Sequence, residues 1–188
     1  MTFFSTADDY LETALQALEQ GKEKRAEILD RLPVPVYMTD AAGWLTYWNE
    51  ASEQFAGRKP SLAKDRWCVT WRLATTNDDP LPHDRCPMAT AIREKRPVRG
   101  QVAIAVRPDG SRRAFTPFPT PVFGSDGELV GAINMLLDVS EHQAGTLAEQ
   151  AARCRRLADA ISDRYTTDIL HSMAEGYERN AQALRVEA

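Results

Sequence analysis

The fold of this 188-residue chain is decided by one stretch, Gly127-Glu128-Leu129-Val130-Gly131-Ala132-Ile133-Asn134-Met135-Leu136-Leu137-Asp138-Val139-Ser140-Glu141-His142. It follows a turn signal at residues 124–127, and its apolar part is too short for a membrane span, so it predicts a buried strand. Beyond it, apolar residues recur at the spacing of one helical face, at Leu147, Ala151, Cys154, Leu157 and Ile161. A strand is therefore predicted to run directly into a helix, with Asp138 or Ser140 as the N-cap.

A second pattern lies upstream and reads Thr39-Asp40-x-x-Gly43-x-Leu45-x-Tyr47-x-Asn49-x-Ala51. It predicts two short strands, over residues 34–40 and 44–48, around a tight turn. A short helix follows, capped by Asn49 and ended by Gly57.

These two patterns together resemble the PAS domain family. The first is similar to the family's opening hairpin, and Asp138-Val139-Ser140-Glu141 is similar to the motif that ends its last strand. The motifs bracket about a hundred residues, an ordinary domain size. The resemblance implies an α+β PAS fold over residues 32–141, with a five-stranded antiparallel sheet and helices on one face.

The segment between the motifs fits that expectation. Two strands are predicted over residues 98–106 and 112–118, joined by the turn Pro108-Asp109-Gly110. The prolines that follow predict a bulge or an edge strand at Pro117, Pro119 and Pro121. A helix through residues 86–92, with Pro87 in its first turn, takes the place of the PAS helix that walls the ligand cavity.

Helical segments flank the predicted domain on both sides. Residues 1–31 predict one amphipathic helix with a weak point near Gly21. The apolar side of this helix is expected to pack either on the sheet of its own domain or on the same helix of a second subunit. The candidate dimer contacts are Leu11, Leu15, Leu18 and Leu29. Residues 142–188 predict a helical hairpin or one long bent helix, available for dimer contacts or a partner.

Composition and charge exclude several classes of function. The net charge is −4, and no basic cluster exceeds two residues, so nucleic-acid binding is not expected. The sequence contains neither a secretory signal nor a membrane span, which predicts a cytoplasmic protein that does not bind membranes. Three dispersed cysteines are expected to be reduced thiols.

A ligand pocket is the main candidate site. Trp67 and Trp71 are four residues apart, so on a helix they would share one face and would either wall a cavity or fill the core. The candidate pocket residues are Trp67, Trp71, His83, Cys86, Met88, Ile92 and Ile104.

The cofactor is left unknown. In some PAS domains a histidine on this helix holds haem, and Cys-Pro dipeptides can ligate haem through the thiolate. Haem is not favoured here because His83 precedes the helix and Cys86 and Met88 are ordinary core residues. Flavin is disfavoured because the Asn-Cys-Arg-Phe-Leu-Gln motif of the light-sensing PAS branch has no counterpart, and Cys68 has the wrong neighbours.

No catalytic or metal site is predicted. The cysteine and histidine spacings of zinc sites, glycine-rich phosphate loops and nucleophile elbows are absent from the sequence. His171 lacks the surroundings of a phosphoacceptor histidine and is predicted to lie on the surface.

The sequence therefore predicts a non-enzymatic, bacterial-type PAS sensory protein that acts as a homodimer and signals to a separate protein. Asp138, Ser140 and Glu141 are the predicted output junction, where the last strand passes a ligand, redox or partner signal to the tail. The alternative is a ligand-free adaptor that uses the fold for protein contacts. A haem-binding sensor and a tail used for assembly are weaker alternatives.

Overall fold

The computed structural model describes residues 7–185, in which helices precede and follow a sheet. The helices are α1 Ala7–Ala17, α2 Lys22–Asp30, α3 Glu50–Ala56, α4 Pro87–Glu94, α5 Ser140–Ala160 and α6 Arg164–Arg185. The strands are β1 Val36–Asp40, β2 Leu45–Trp48, β3 Arg72–Ala74, β4 Ala103–Val106, β5 Arg112–Pro117, β6 Thr120–Phe123 and β7 Leu129–Asp138. A 3-10 turn, His83–Arg85, precedes α4.

Strand β7 lies in the middle of an antiparallel sheet with the order β2-β1-β7-β5-β4-β3. On one side it pairs with β1, so that Met135 lies opposite Val36. On the other side it pairs with β5 near its end and with β6 near its beginning. The predicted antiparallel sheet is confirmed, and the short strands β3 and β6 add to the five strands expected.

Pro119 and Pro121 lie where the pattern placed them, at an irregular edge, whereas Pro117 is the last residue of β5 and lies opposite Leu136 of β7. Strand β6 pairs with β7 alone, and its register shifts between Val122 and Phe123. Between β5 and β6, Phe118 donates its backbone N–H to the Met135 carbonyl and to Asn134 Oδ1, both at 2.9 Å. Because proline has no N–H to donate, this edge is expected to be irregular.

Helices α3 and α4 cover one face of the sheet, which we call the inner face. The side chains that fill it include Tyr37, Leu45, Phe55, Cys68, Met88, Ile92, Phe115 and Leu136. The rings of Phe55 and Phe115 meet edge to face with centroids 5.5 Å apart. Burying each such side chain contributes about 1.5–3 kcal/mol, so this cluster is a major source of stability.

Asn49 caps α3 as predicted and also joins three segments. Its Oδ1 accepts the backbone N–H of Ser52 at 3.1 Å and that of Val36 at 3.0 Å. Its Nδ2 donates to the carbonyl of Leu29 at 3.1 Å. Gly57 ends the helix with a left-handed φ of 63°, also as predicted.

The outer face of the sheet is covered in two halves. Helices α1 and α2 cover the half around β1 and β7, where the buried residues are Ala14, Ala17, Leu29, Leu32, Val36, Ile133 and Met135. Helices α5 and α6 form a hairpin that covers the half around β4 and β5, where the buried residues are Ala74, Ile104, Ala114, Ala144, Leu147, Ala181 and Leu184. Of the two forms predicted for the tail, the hairpin is correct.

The weak point predicted near Gly21 in the N-terminal helix is a complete break, so the segment forms two helices. Helix α1 ends at Ala17, a turn follows, and Gly21 starts α2 with an extended ψ of 157°. Among the candidate dimer residues, Leu29 is fully buried against the chain's own sheet, whereas Leu11, Leu15 and Leu18 are half-buried on it. Within residues 7–185, no helix is long and apolar enough to cross a bilayer.

Candidate functional site

The candidate site is the junction at which β7 becomes α5. Val139 donates its N–H to the carbonyl of Ala114 on β5 at 2.8 Å, which continues the strand ladder by one bond. Ser140 Oγ then accepts the N–H of Ala114 at 3.0 Å. The Ser140 hydroxyl thus takes the place of a backbone carbonyl as the partner of the Ala114 N–H. This bond fixes the first residue of α5 to the sheet.

The predicted N-cap at this junction needs a correction. Val139 occupies the N-cap position, and its side chain makes no cap hydrogen bond. Asp138 lies one residue earlier, and its carboxylate accepts the N–H of Ser140 at 2.9 Å. Ser140 points inward to Ala114 rather than capping the helix, and Glu141 is exposed in the first turn, where the helix dipole favours an acidic side chain.

Small residues allow the two tail helices to pack closely. Ala151, Cys154 and Ala174 are buried between α5 and α6, with Leu170 and Tyr177 packed beside them. On the exposed side, the Arg155 guanidinium donates two hydrogen bonds to the Glu178 carboxylate, at 3.0 and 2.6 Å. This bidentate pair holds the pKa of Glu178 below its usual value and raises that of Arg155. It joins the last third of α5 to the second half of α6.

The turn end of the hairpin carries exposed apolar side chains. We call this set the tip, and it comprises Leu157, Ile161, Tyr165, Ile169 and Met173. Their exposed fractions run from 37% to 76%. Their four-residue spacing places them along one side of each helix, and exposed apolar side chains on one side of a helix are typical of a contact surface.

The predicted pocket residues do not converge on one cavity. Ile104 lies on the outer face beneath the hairpin, opposite Met88 and Ile92, which are buried on the inner face. Trp67 and Trp71 lie outside any helix, so the helical spacing that paired them does not apply. Trp71 is 39% exposed and stacks on the Arg72 guanidinium, which lies 4.0 Å from its ring centroid.

Trp67 instead closes the opening hairpin. It has a positive φ of 71°, which is unusual for a bulky residue, and it donates its N–H to the Gly43 carbonyl at 2.7 Å. A Cβ on Gly43 would lie 2.2 Å from the Trp67 ring, so only glycine fits at the turn. The Arg66 guanidinium lies between the rings of Trp44 and Trp67, 5.2 and 4.6 Å from their centroids.

His83 and Cys86 do not form a haem site. His83 is half-buried in the 3-10 turn, and burial, followed by the nearby Arg58 charge, lowers its pKa. Cys86 is the buried N-cap residue of α4, only 2% exposed, so its sulfur is enclosed by the core, and burial raises the pKa of its thiol to about 12. Met88 fills the inner face. These side chains do not fit haem.

A buried polar network escaped the sequence analysis. Tyr37 donates its hydroxyl to the Trp67 carbonyl at 3.0 Å and accepts Asn134 Nδ2 at 2.9 Å. Burial, followed by Cys68, raises the pKa of Tyr37 well above its usual value, so the hydroxyl is protonated. The signal in the sequence was Asn134 itself, a single amide in an apolar strand, because a buried amide needs partners.

Cys68 and His171, which the sequence analysis considered and rejected as functional residues, lie in the core and on α6. Cys68 is buried, and its sulfur accepts the Thr70 hydroxyl at 3.1 Å. Between residues 7 and 185, no group of three or more His, Cys, Asp or Glu side chains is arranged to hold a metal ion. His171 is half-buried on α6.

Comparison with known proteins identifies the family. A model of the PAS fold matches residues 29–144, which is more than half of the chain, so this protein belongs to the PAS family. No curated protein sequence matches significantly.

Solved structures of PAS and LOV proteins are similar to this chain at low sequence identity. The PAS domain of the fruit-fly ELK potassium channel is 13% identical, with a TM-score of 0.50 over 64% of this chain and 98% of that chain. A PAS domain from Colwellia psychrerythraea is 20% identical, with a TM-score of 0.44 over 62% and 95%. The Rhodobacter sphaeroides LOV protein is 13% identical, with a TM-score of 0.47 over 97% and 100%.

Proposed function

We propose that this protein is a non-enzymatic PAS signalling module in which the sheet controls the tail hairpin. The observation that carries the proposal is the double attachment of the β7–α5 junction to Ala114, through the N–H of Val139 and the hydroxyl of Ser140. Any change in the pairing of β5 with β7 changes the support of α5 at once. Sheet and hairpin then behave as one two-state element.

The hairpin tip is the proposed output surface, and a second copy of the chain is its proposed partner. Leu157 follows Gln143 by fourteen residues, and Met173 precedes Asn180 by seven, so each pair shares one side of its helix. Near the sheet, that side carries the half-buried polar residues Gln143 and Asn180. Toward the tip the same side becomes apolar and is exposed. A second hairpin presents a matching apolar side to cover it.

The state of oligomerisation tests the output surface. We expect light scattering to give the mass of a dimer for the natural chain and of a monomer for an Ile169→Glu/Met173→Glu variant. Ser172→Glu is the matched control, because Ser172 is exposed on the same helix and lies outside the tip. A natural chain that stays monomeric at all concentrations would exclude the homodimer.

Coupling between the junction and the tip tests the signalling role. Ser140→Ala removes the hydroxyl that holds α5 to β5, and we expect it to change the dimer dissociation constant about fivefold or more. Ser162→Ala, in the exposed hairpin turn, should leave the constant unchanged. Equal constants for Ser140→Ala and the natural chain would mean that the tip does not respond to the sheet.

A ligand-free adaptor is the second candidate function, and the filled inner face favours it. Phe55, Phe115 and Met88 occupy the space between the sheet and helices α3 and α4. Native mass spectrometry of protein purified from its own host distinguishes the two functions. An additional bound mass supports a ligand sensor, and a mass equal to the chain alone supports the adaptor.

A further inference from the structure

The hydrophobic residues of the tip lie on the side of the hairpin that faces the sheet. Near the sheet, Gln143 and Asn180 line a narrow space together with Arg112 of β5. Each of the two immediately precedes a buried alanine of its helix, and so do Leu157 and Met173 in the tip. In an antiparallel pair of helices, residues that precede the buried positions project from one common side. We call it the sheet side of the hairpin.

The opposite side of the hairpin is polar, and the sheet supports only one end of the two helices. Arg155 and Glu178 each follow a residue packed between the helices, and their bidentate ion pair spans the hairpin on that opposite side. Leu147 is the last residue of α5 in the buried cluster that the hairpin shares with the sheet. Residues 148–160 of α5 extend beyond that cluster for about 20 Å. The sheet and the overhanging helices therefore form a step, and the tip is on its underside.

This step limits how a second copy can cover the tip. Two packed helices lie about 8–10 Å apart. On the sheet side of its hairpin, each sheet already occupies a layer of about 10 Å. Two hairpins that faced each other with their turns pointing the same way would therefore bring their sheets into the same space. With the turns pointing in opposite directions, each tip enters the step of the other copy, and the two sheets lie at opposite ends.

We propose that two copies of the chain pair in this antiparallel way, with a twofold axis near Ile169. The arrangement rests on the proposed function in one respect, namely that a second copy covers the tip. Ile169 lies midway between Tyr165 and Met173 on α6. A twofold axis at this point places the apolar residues of one tip on those of the other, so the surface is self-complementary.

The charges at the two ends of the tip favour the same orientation. Arg153 precedes the buried Cys154 on the sheet side, at the end of the tip nearer the sheet, whereas Asp163 lies in the turn. Both are exposed, and within residues 7–185 Arg153 takes part in no ion pair. An antiparallel pair brings Arg153 of each copy toward Asp163 of the other, so opposite charges meet twice. A parallel pair would bring like charges together.

A glycine makes room for the most exposed side chain of the tip. Tyr165 is 76% exposed, and its ring extends toward the turn, because side chains on a helix lean toward its N-terminus. Across the twofold axis, this direction leads to Gly176 on the sheet side of the other copy. A Cβ at Gly176 would meet only Arg179 Nη2, at 3.9 Å, so the chain itself does not require glycine there. The Tyr165 ring of one copy packs on Gly176 of the other.

Gly176→Gln tests this contact. The added side chain occupies the place of the Tyr165 ring, so it should raise the dimer dissociation constant about tenfold or more. Gly145→Gln is the matched control, because Gly145 also has an open Cβ position on a tail helix but follows a buried alanine and lies on the other side. It should change the constant by less than about twofold. Analytical ultracentrifugation measures both, and an unchanged constant for Gly176→Gln would overturn the packing.

A double-mutant cycle tests the orientation. Arg153→Gln and Asp163→Asn each remove one charge, and Asn can still accept the N–H of Thr166 as an N-cap. Each change should raise the dimer dissociation constant about two- to tenfold, and the double variant should raise it no further than the larger single effect. Within one chain the two residues are more than about 10 Å apart along the hairpin, so the coupling must cross the interface. Single effects that simply multiply in the double variant would contradict the antiparallel pairing.

The shape of the natural dimer distinguishes a failure of this arrangement from a failure of the proposed function. Small-angle X-ray scattering should show two domains whose junctions with the tail are about 50–60 Å apart, twice the length of α5 from Ser140 to the level of Ile169. A compact dimer with its domains side by side would overturn the antiparallel arrangement and leave the tip as the dimer surface. A natural chain that stays monomeric would exclude both.

Discussion

The hydroxyl of Ser140 and the backbone of Ala114 form a buried contact between the first residue of α5 and strand β5. Ser140 Oγ accepts the Ala114 N–H at 3.0 Å and lies 3.5 Å from the Ala114 carbonyl. Both residues are buried. Ala114 also packs against Ala144, Leu147 and their neighbours in the hairpin core. One short segment of β5 therefore supports α5 through both backbone and side-chain contacts.

Ser140→Ala should destabilise the protein by about 1–3 kcal/mol, because it leaves the buried N–H of Ala114 without a partner. Urea unfolding measures the loss, and amide exchange at residue 114 shows its location. Ser162→Ala serves as the control and should change stability by less than about 0.5 kcal/mol. An unchanged exchange rate at Ala114 would contradict the importance of the contact.

Gly131→Ala should be strongly destabilising, by about 1–3 kcal/mol or more. A Cβ at Gly131 would lie 2.0 Å from the carbonyl oxygen of Thr39, so β1 and β7 would have to separate. Gly145→Ala is the matched comparison, because nothing lies within 4 Å of its Cβ position on α5. Thermal unfolding should show that this second change stabilises by up to about 1 kcal/mol. Similar effects of the two changes would contradict the close approach of β1 and β7.

The Tyr37–Asn134 hydrogen bond should make the losses of unfolding free energy caused by substituting the two residues non-additive. Tyr37→Phe and Asn134→Leu should each cost about 1–3 kcal/mol, because each leaves a buried polar group unpaired. The double variant should cost less than the sum, since the shared bond can be lost only once. Urea unfolding of the four proteins provides the measurement. Strict additivity would show that the two side chains are not coupled.

His83 should make stability fall in mild acid. Its folded-state pKa is lowered from 6.5, by burial first and by the Arg58 charge second, so the unfolded chain binds the proton more readily. The contribution is complete above about pH 6.5 and decreases as pH falls through that value toward the folded pKa. His83→Gln should reduce the difference between urea midpoints at pH 7.5 and pH 5. His142→Gln, exposed on α5, is the control and should leave that difference intact.

Local chemistry made several features of the fold predictable. Asn49 and Gly57 mark the ends of α3 because an N-cap acceptor and a left-handed residue are needed there whatever the surroundings. The turn 108–110 joins two antiparallel strands for the same local reason. The passage from strand to helix after Asp138 followed from the change in apolar period.

The misplaced site residues depended on contacts distant in sequence. The alternation of side chains along β4 predicts that Ile104 lies on the face opposite Ala103 and Ala105. In the structure the two alanines are on the inner face and Ile104 is on the outer face. Alternation alone does not indicate which face is the inner one. The four-residue spacing of Trp67 and Trp71 suggested a helix, whereas the structure has a loop held by the bond from Trp67 to Gly43. The cis packing of Leu29 depends on a sheet formed by residues far along the chain.

The central position of β7 has a consequence for how the chain folds. The hairpins β1–β2 and β4–β5 share no ladder with each other, and β7, which follows both, joins them. The ladder between β1 and β7 closes a loop of about ninety residues, and closing this loop has an entropic cost. That cost precedes the packing of the outer-face helices on the sheet. Pulse-labelled exchange during refolding should show β7 amides gaining protection together with those of β1. During synthesis, each hairpin therefore has an unpaired edge until β7 has been made. The sheet can form in full only after that strand emerges.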